Sequence, residues 1–524
     1  MDSLAQARVE LARLEAEAQE LVKQLLYVRA AVSVQRSKIS QLLRRTPPPI
    51  HRLPTELLLS IFELDISAHP DCERKQELAR VSRRWRDVIL NSPILWTTIN
   101  IPRLNASGIN AHLKKSGESL LNIAITINGQ GNLDYDKLTP YLDIVTPYAH
   151  RWRSLHVFDV SGPESMLGEI ITPIGMYIVE VINHLRFPSL KHVIIPFFGG
   201  IEYPDFLSPT CAPGLEHLEL EGMLPCKSFA PPPTLKTLRL MADGFDEAPY
   251  PFFAYLIPTQ RLTTLSLSRD IADWNHWNHW ILRPNSIHFP VLNTLTLSIS
   301  QMNQFLHAIV APNLEYFNYD PEYCEEHPLS VVFNGLGHKF NNVDHISFPR
   351  TTRFNRSHDY DGALSVCKTF PNVRHAELNL QELGDLFPDR SFNAESTHIR
   401  YPVDLWKDLQ SLTLRGPSFK WVKEIDYFSE WLLRRQTLGL PLFHIKLTDF
   451  GRYPESRAFL DDHSERLHDC LGYYCSLEFD IPMITKKINM SRVADTSLRM
   501  VSTGVFPTAT KFIFLPNYCS IFRS

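Results

Sequence analysis

The sequence predicts a mixed architecture: a long N-terminal α-helix, a short proline-bounded helical segment, and then an α/β solenoid with a curved parallel sheet. Three observations carry this. Residues 2 to 45 contain neither Gly nor Pro and repeat apolar residues in heptads. Three consecutive prolines, Pro47 to Pro49, stop that helix ahead of a second apolar helical stripe. From about residue 115 onward a unit of the form Pro-x-Leu-x-x-Leu-x-Leu recurs.

The bulk composition sets limits. At 524 residues the chain is long enough for two to four units. Apolar residues make up 44% and charged residues 21%, ordinary for a globular protein with a large core. A net charge of −4 argues against a general nucleic-acid binder, which needs a basic face. No run of about 18 uncharged apolar residues exists, so no membrane span is expected. Arg8, Glu10 and Arg13 fall where a signal peptide needs an apolar stretch. The eight cysteines form no CxxC pair, which reads as reduced, buried thiols in a cytoplasmic or nuclear protein.

In the first segment, residues 1–45, the seam consists of Leu4, Leu11, Ala18, Leu25, Val32 and Ile39, alternating with Ala7, Leu14, Leu21, Val28, Gln35 and Leu42. Six heptads of this kind are a coiled-coil signal. In a parallel homodimer Glu10 would face Glu15, and several other flanking pairs would contain no opposite charges. Self-pairing, packing on the same chain and pairing with another protein all stay open.

The second segment begins at "LPTELLLSIF". Pro54 is tolerated in a first helical turn, and Glu56 there suits the helix dipole. Leu57, Leu58, Ile61 and Phe62 fall on one face at helical spacing. Residues 67 to 76 read as polar and irregular. A further helix over "ELARVSRRWRDVIL" aligns Leu78, Val81, Trp85 and Val88, and "NSPILW" closes the segment with Leu95 and Trp96. Of these, Val81 and Trp85 are expected in the core, and Leu53, Pro54 and Phe62 at a contact surface.

The third segment, residues 110–510, carries about twelve copies of the leucine unit. Six open with proline: "PSLKHVII", "PGLEHLEL", "PTLKTLRL", "PVLNTLTL", "PNLEYFNY" and "PNVRHAEL". The others are "ESLLNIAI", "HRWRSLHV", "QRLTTLSL", "NNVDHISF", "KDLQSLTL" and "PLFHIKL". Each should end in a short strand with alternate side chains inward. One copy cannot bury its apolar face alone, so the copies must stack. The pattern is leucine-rich-repeat-like, but the Asn that follows the last Leu of the regular repeat is absent: Met223, Asp243, Asp270 and Ser300 stand there. Residues between the inward leucines, among them His217, Glu219, Arg239, Tyr316, His375, Glu377 and Ser411, would form a hydroxyl-rich face suited to recognising a protein.

Other chemistry is thin. "DWNHWNHW" at 273–280 places two His three apart among three Trp, without a third or fourth metal ligand in range. "CLGYYC" at 470–475 has no companion pair, and Asp461 and Asp462 read as solvated. No phosphate loop, GxSxG or HExxH motif occurs. Neither a metal nor another cofactor is expected, and no enzymatic activity.

Residues 50–100 resemble the F-box in the form common in fungal F-box proteins, through Leu-Pro-x-Glu-Leu, Val-x-x-x-Trp and the closing Leu-Trp. Ser82 stands where the family often has Cys, and the link at 66–76 is longer and more polar than usual. The resemblance implies a three-helix F-box that docks on a Skp-type adaptor, and through it a cullin. The implied adaptor-binding positions are Leu53, Pro54, Glu56, Leu57, Ile61, Phe62, Val81, Trp85, Leu95 and Trp96. It further implies a substrate-recognition subunit of a cullin-RING ubiquitin ligase, with an unidentified protein substrate on the repeats and neither nucleic acid nor membrane as partner. The alternative is a non-enzymatic scaffold with a vestigial F-box, which the long polar link favours.

Overall fold

The computed structural model describes residues 2–45, 50, 53–68, 72–101, 103–127, 135–159, 168–195, 203–221, 230–242, 257–269, 282–299, 302–320, 329–337, 339–348, 360–379, 386, 401–415, 424–448 and 475–479. They fall into two compact units, Met1–Leu95 and Trp96–Ser524.

The first unit opens with α1, Asp2–Arg45, a single helix of 44 residues. Its described side chains are exposed throughout. Three helices follow: α2 (Thr55–Ala68), α3 (Cys72–Val81) and α4 (Arg83–Asn91). A 3-10 turn, Pro93–Trp96, comes next. Two expectations are corrected here. Residues 72–76 are helical rather than irregular, because Glu73, Arg74, Lys75 and Gln76 are good helix formers. Arg74 also bonds Asp65 of α2 at 2.6 and 2.8 Å and Glu77 at 2.9 Å. The helix expected over 77–90 is in fact two. Ser82 adopts an extended backbone, and its hydroxyl accepts from the Trp85 amide at 3.1 Å, capping α4. Ser82→Ala is expected to cost about 1 kcal/mol, read as a lowered denaturation midpoint for this unit with unchanged cooperativity.

The second unit is built on a sheet whose fourteen described strands are all parallel. In chain order they are β1 (Thr98–Ile101), β2 (Leu121–Ile127), β3 (Trp152–Asp159), β4 (His192–Ile195), β5 (His217–Glu221), β6 (Thr237–Ala242) and β7 (Thr264–Arg269). After these come β9 (Thr294–Ser298), β11 (Tyr316–Tyr319), β12 (His345–Phe348), β13 (His375–Asn379), β14 (Ser411–Arg415), β15 (Phe443–Thr448) and β16 (Cys475–Phe479). Two short strands, β8 (Ile287–His288) and β10 (Ile309–Val310), pair separately. Each strand of the large sheet bonds the one before it and the one after it in that order. Parallel neighbours require a crossover. Several crossovers carry helices: α5 (Ala106–Ser116), α6 (Tyr135–Val145), α7 (Gly168–Ile182), α8 (Met302–Ala308), α9 (Leu329–Val332), α10 (Tyr360–Thr369) and α11 (Glu424–Thr437).

All twelve leucine units end in a strand of this sheet. The register explains the motif. Its two strand leucines lie in continuous buried rows, such as Leu218, Leu238, Leu265, Leu295 and Phe317, and Leu220, Leu240, Leu267, Leu297 and Tyr319. At Leu190, Leu215 and Leu235 the first Leu of the unit is buried before the strand and closes a turn, its amide donating to a carbonyl three residues back at 3.1 to 3.2 Å, whereas Leu120 and Leu442 at the same place are exposed. The missing Asn ladder reappears at another position. The amides of Asn313, Asn342 and Asn372, just before that first Leu or Val, reach a carbonyl of the preceding unit at 2.7, 2.5 and 2.7 Å. Thr234 does the same with its hydroxyl at 3.1 Å. Bulky rings pack within the core: Trp152 lies 5.2 Å from Phe187, and Phe370 lies 4.9 Å from Phe317.

Candidate functional site: an exposed helix face and a polar sheet face

Helix α2 starts at Pro54, whose carbonyl accepts from the Leu58 amide at 3.1 Å. Arg84 of α4 donates to the Leu53 carbonyl at 2.5 Å and pins that start. The apolar face expected on α2 divides in two. Leu58 and Phe62 are wholly buried, and the Phe62 ring meets the edge of Trp85 with centroids 4.8 Å apart. Leu57, Ile61 and Leu64 form a second stripe, about 100° of helix rotation away. They are 52%, 45% and 74% exposed.

The expected division between contact and core is therefore altered. Phe62, expected at the surface, is core, together with Leu78, Val88, Ile89 and Leu95. Val81, expected in the core, is exposed, because the helix ends there before Ser82. Pro54 and Glu56 are exposed, and Leu53 and Trp85 are half-buried. Trp96 belongs to the second unit, where its ring meets His112 at 5.0 Å and Lys115 Nζ sits 3.8 Å above it. Sequence reasoning missed Leu64, Leu90 and Ile94, which are all exposed. Leu64 had a signal, since it follows Leu57 by seven residues and Ile61 by three.

In the second unit the face opposite the buried rows carries two polar rows. One runs His192, His217, Thr237, Thr264, Thr294, Tyr316, His345, His375, Ser411 and His444. The other includes Glu219, Arg239, Ser266, Thr296, Asn318, Ser347, Glu377, Thr413 and Lys446. Charges alternate in sign along the second row, through Glu219, Arg239, Glu377 and Lys446. Glu219 lies 3.3 Å from Arg239 and 3.9 Å from His217, and the His217 bond, then the Arg239 charge, hold its carboxyl below the usual range. Glu377 accepts from Arg415 at 2.5 Å and from Ser347 at 3.0 Å. A cleft of about 440 Å³ opens beside this pair, lined by His345, His375, Thr413, Lys446 and Thr448. The Thr448 hydroxyl and the Asn318 carbonyl oxygen are buried without a hydrogen-bond partner among the described residues.

Histidines neighbour one another in this face: the rings of His192 and His217 are 6.0 Å apart, and those of His345 and His375 are 5.9 Å apart, each pair tilted. Burial, then the neighbouring histidines, pushes the pKa of His156, His192 and His345 below 6.5. The folded state thus binds fewer protons than the unfolded chain, and stability rises with pH through the window below 6.5. Denaturation midpoints of the second unit are expected to fall as pH drops from 7 towards 5.

Among the described residues no group of three or more His, Cys, Asp or Glu could hold a metal ion. No described helix is long and apolar enough to cross a membrane. The Trp-His cluster at 273–280, residues 470–474, Asp461 and Asp462 lie outside the described residues. Cys475 is buried, and burial pushes its thiol up to about 11.

Residues 50–102 match the family model described as F-box-like. The chain thus carries an F-box-like domain spanning α2 to α4 and running on to β1. F-box domains generally bind Skp-type adaptors, and F-box proteins are typically adaptor subunits rather than enzymes. No curated protein and no solved structure matches the chain.

Proposed function

We propose that this protein is the substrate-recognition subunit of a Skp-cullin-F-box ubiquitin ligase. The observation that carries the reading is the stripe of Leu57, Ile61 and Leu64, left exposed on a helix that already buries Leu58 and Phe62 in its own core. It lies inside the F-box-like match. A few apolar anchors desolvated in a partner's pocket can dominate an interface, often at about 2 kcal/mol or more each. In this reading Leu53, Pro54, Glu56, Leu57, Ile61, Leu64 and Val81 meet the adaptor. Phe62, Trp85 and Leu95 hold the helices that present them.

The second unit would be a leucine-rich-repeat-like solenoid, with the protein substrate on its polar face. The cleft beside Glu377 and Arg415, and the unpartnered oxygens of Thr448 and Asn318, support recognition through hydrogen bonds. The chain would perform no chemistry. It would raise the effective concentration of substrate lysines near the conjugating enzyme, in the cytoplasm or the nucleus of a fungus. The scaffold alternative rested on a long polar link, and helix α3 now occupies residues 72–76 of that link. The test is co-expression of the full chain with a Skp-type adaptor: a stable one-to-one complex supports the reading, and a folded chain that never captures the adaptor sinks it.

A further inference from the structure

We propose that α1 pairs antiparallel with the α1 of a second copy of this chain. The apolar seam of α1 is uncovered. Leu4, Leu11, Leu14, Leu21, Leu25, Val28, Val32 and Ile39 are each between 45% and 64% exposed. So long an apolar stripe on a charged helix marks an interaction surface.

Charge identifies the occupant and its direction. Residues 2–20 hold five acids, Asp2, Glu10, Glu15, Glu17 and Glu20, against two bases, Arg8 and Arg13. Residues 21–45 hold six bases and no acid. The helix dipole favours acids at the start and bases at the end, but that effect fades within one turn. Here the segregation runs through whole halves of the helix. Arg29, Arg36 and Lys38 have no acid in their half to answer them, and a second α1 running the other way supplies one.

The heptad register can be laid out about a two-fold axis near Lys23. Leu21 then faces Leu25, Ala18 faces Val28, Leu14 faces Val32 and Ala7 faces Ile39. On the flanks Glu10 meets Lys38 and Glu15 meets Arg29, each twice by symmetry. Arg8 opposite Arg36 is the one unfavourable flank. A parallel pair sets Glu10 against Glu15 and joins no opposite charges. Bonds within the helix, such as Arg13 to Glu10 at 2.8 Å, compete only weakly, because both side chains are more than half exposed. The two chains leave such a pair at opposite ends, about 65 Å apart at 1.5 Å of rise per residue.

The full chain is tested by sedimentation equilibrium at physiological salt. The expected mass is twice 60.4 kDa. The E10K/E15K variant is expected to weaken dimerisation at least tenfold, and so is R29E/K38E. The four changes combined restore it, and helix content by circular dichroism stays constant because Glu and Lys have similar propensities. Energy transfer between copies labelled at the N-terminal amine should be low. A monomer at tens of micromolar, a dimer indifferent to charge reversal, reversal without rescue, or high energy transfer would each overturn the proposal. Every one of these outcomes leaves the adaptor reading untouched.

Discussion

Replacing Leu57 and Ile61 together by glutamate is expected to abolish capture of a Skp-type adaptor while leaving the fold of the F-box-like domain intact. Both side chains are about half exposed, so charging them leaves no buried charge behind in the free protein. Glutamate is a good helix former, and neither residue belongs to the face that meets Trp85. In the complex the same change sets two carboxylates into a desolvated pocket. Loss of two anchors at about 2 kcal/mol each, before that desolvation cost, already amounts to roughly a thousandfold in affinity. Co-purification should fall to background while the thermal midpoint stays within about 4 °C, since surface changes of this kind alter stability by roughly 0.5 kcal/mol or less. Retained binding would exclude the Leu57 stripe as the docking surface. Leu64→Glu alone, on the same stripe, should weaken capture in the same direction.

Much of this arrangement was legible in the sequence, and the failures have physical causes. The leucine unit announced twelve strands because each combines a period of two with an apolar residue at a fixed place ahead of it. Strands β1 and β16 escaped: Leu95 stands four residues ahead of Ile99 where the unit spaces three, "CSLEF" has Tyr474 at the leading place, and two apolar residues in alternation are too few to read alone. The polar face was legible for the same reason as the core, since alternation sends every other residue outward. The ladder of Asn313, Asn342 and Asn372 is not legible from the regular repeat, whose Asn stands at the end of the unit, whereas these amides bridge at its beginning. On α2, periodicity showed one broad apolar face. Only packing against α4 showed that Leu58 and Phe62 face inward and Leu57 and Ile61 outward. Val81 reads as core at helical spacing because one unbroken helix through Ser82 would put it on the Leu78 and Trp85 face. The role of Ser82 as a cap breaks the spacing between Val81 and Trp85.

Phe62→Ala should act through the opposite route. The ring is wholly buried and lies against Trp85, with Arg74 to Asp65 and Arg84 to Leu53 holding the same helices together around it. Truncating a buried Phe to Ala costs about 3–5 kcal/mol, through lost transfer energy and the cavity left behind. A domain of this size has roughly 5–15 kcal/mol in total, so about a fifth or more of its stability would go. The expected result is a large drop in the denaturation midpoint of the first unit, and adaptor capture that falls only as the unfolded fraction grows. Phe62→Leu, which keeps most of the volume, should recover most of the stability and nearly all of the capture. The contrast separates the two halves of one helix face. Changes at Leu57 and Ile61 remove binding from a stable domain, and changes at Phe62 remove the domain. If instead Phe62→Leu stays fully stable and loses the adaptor, the ring must turn outward on docking, and the boundary between core and contact on α2 would have to be redrawn.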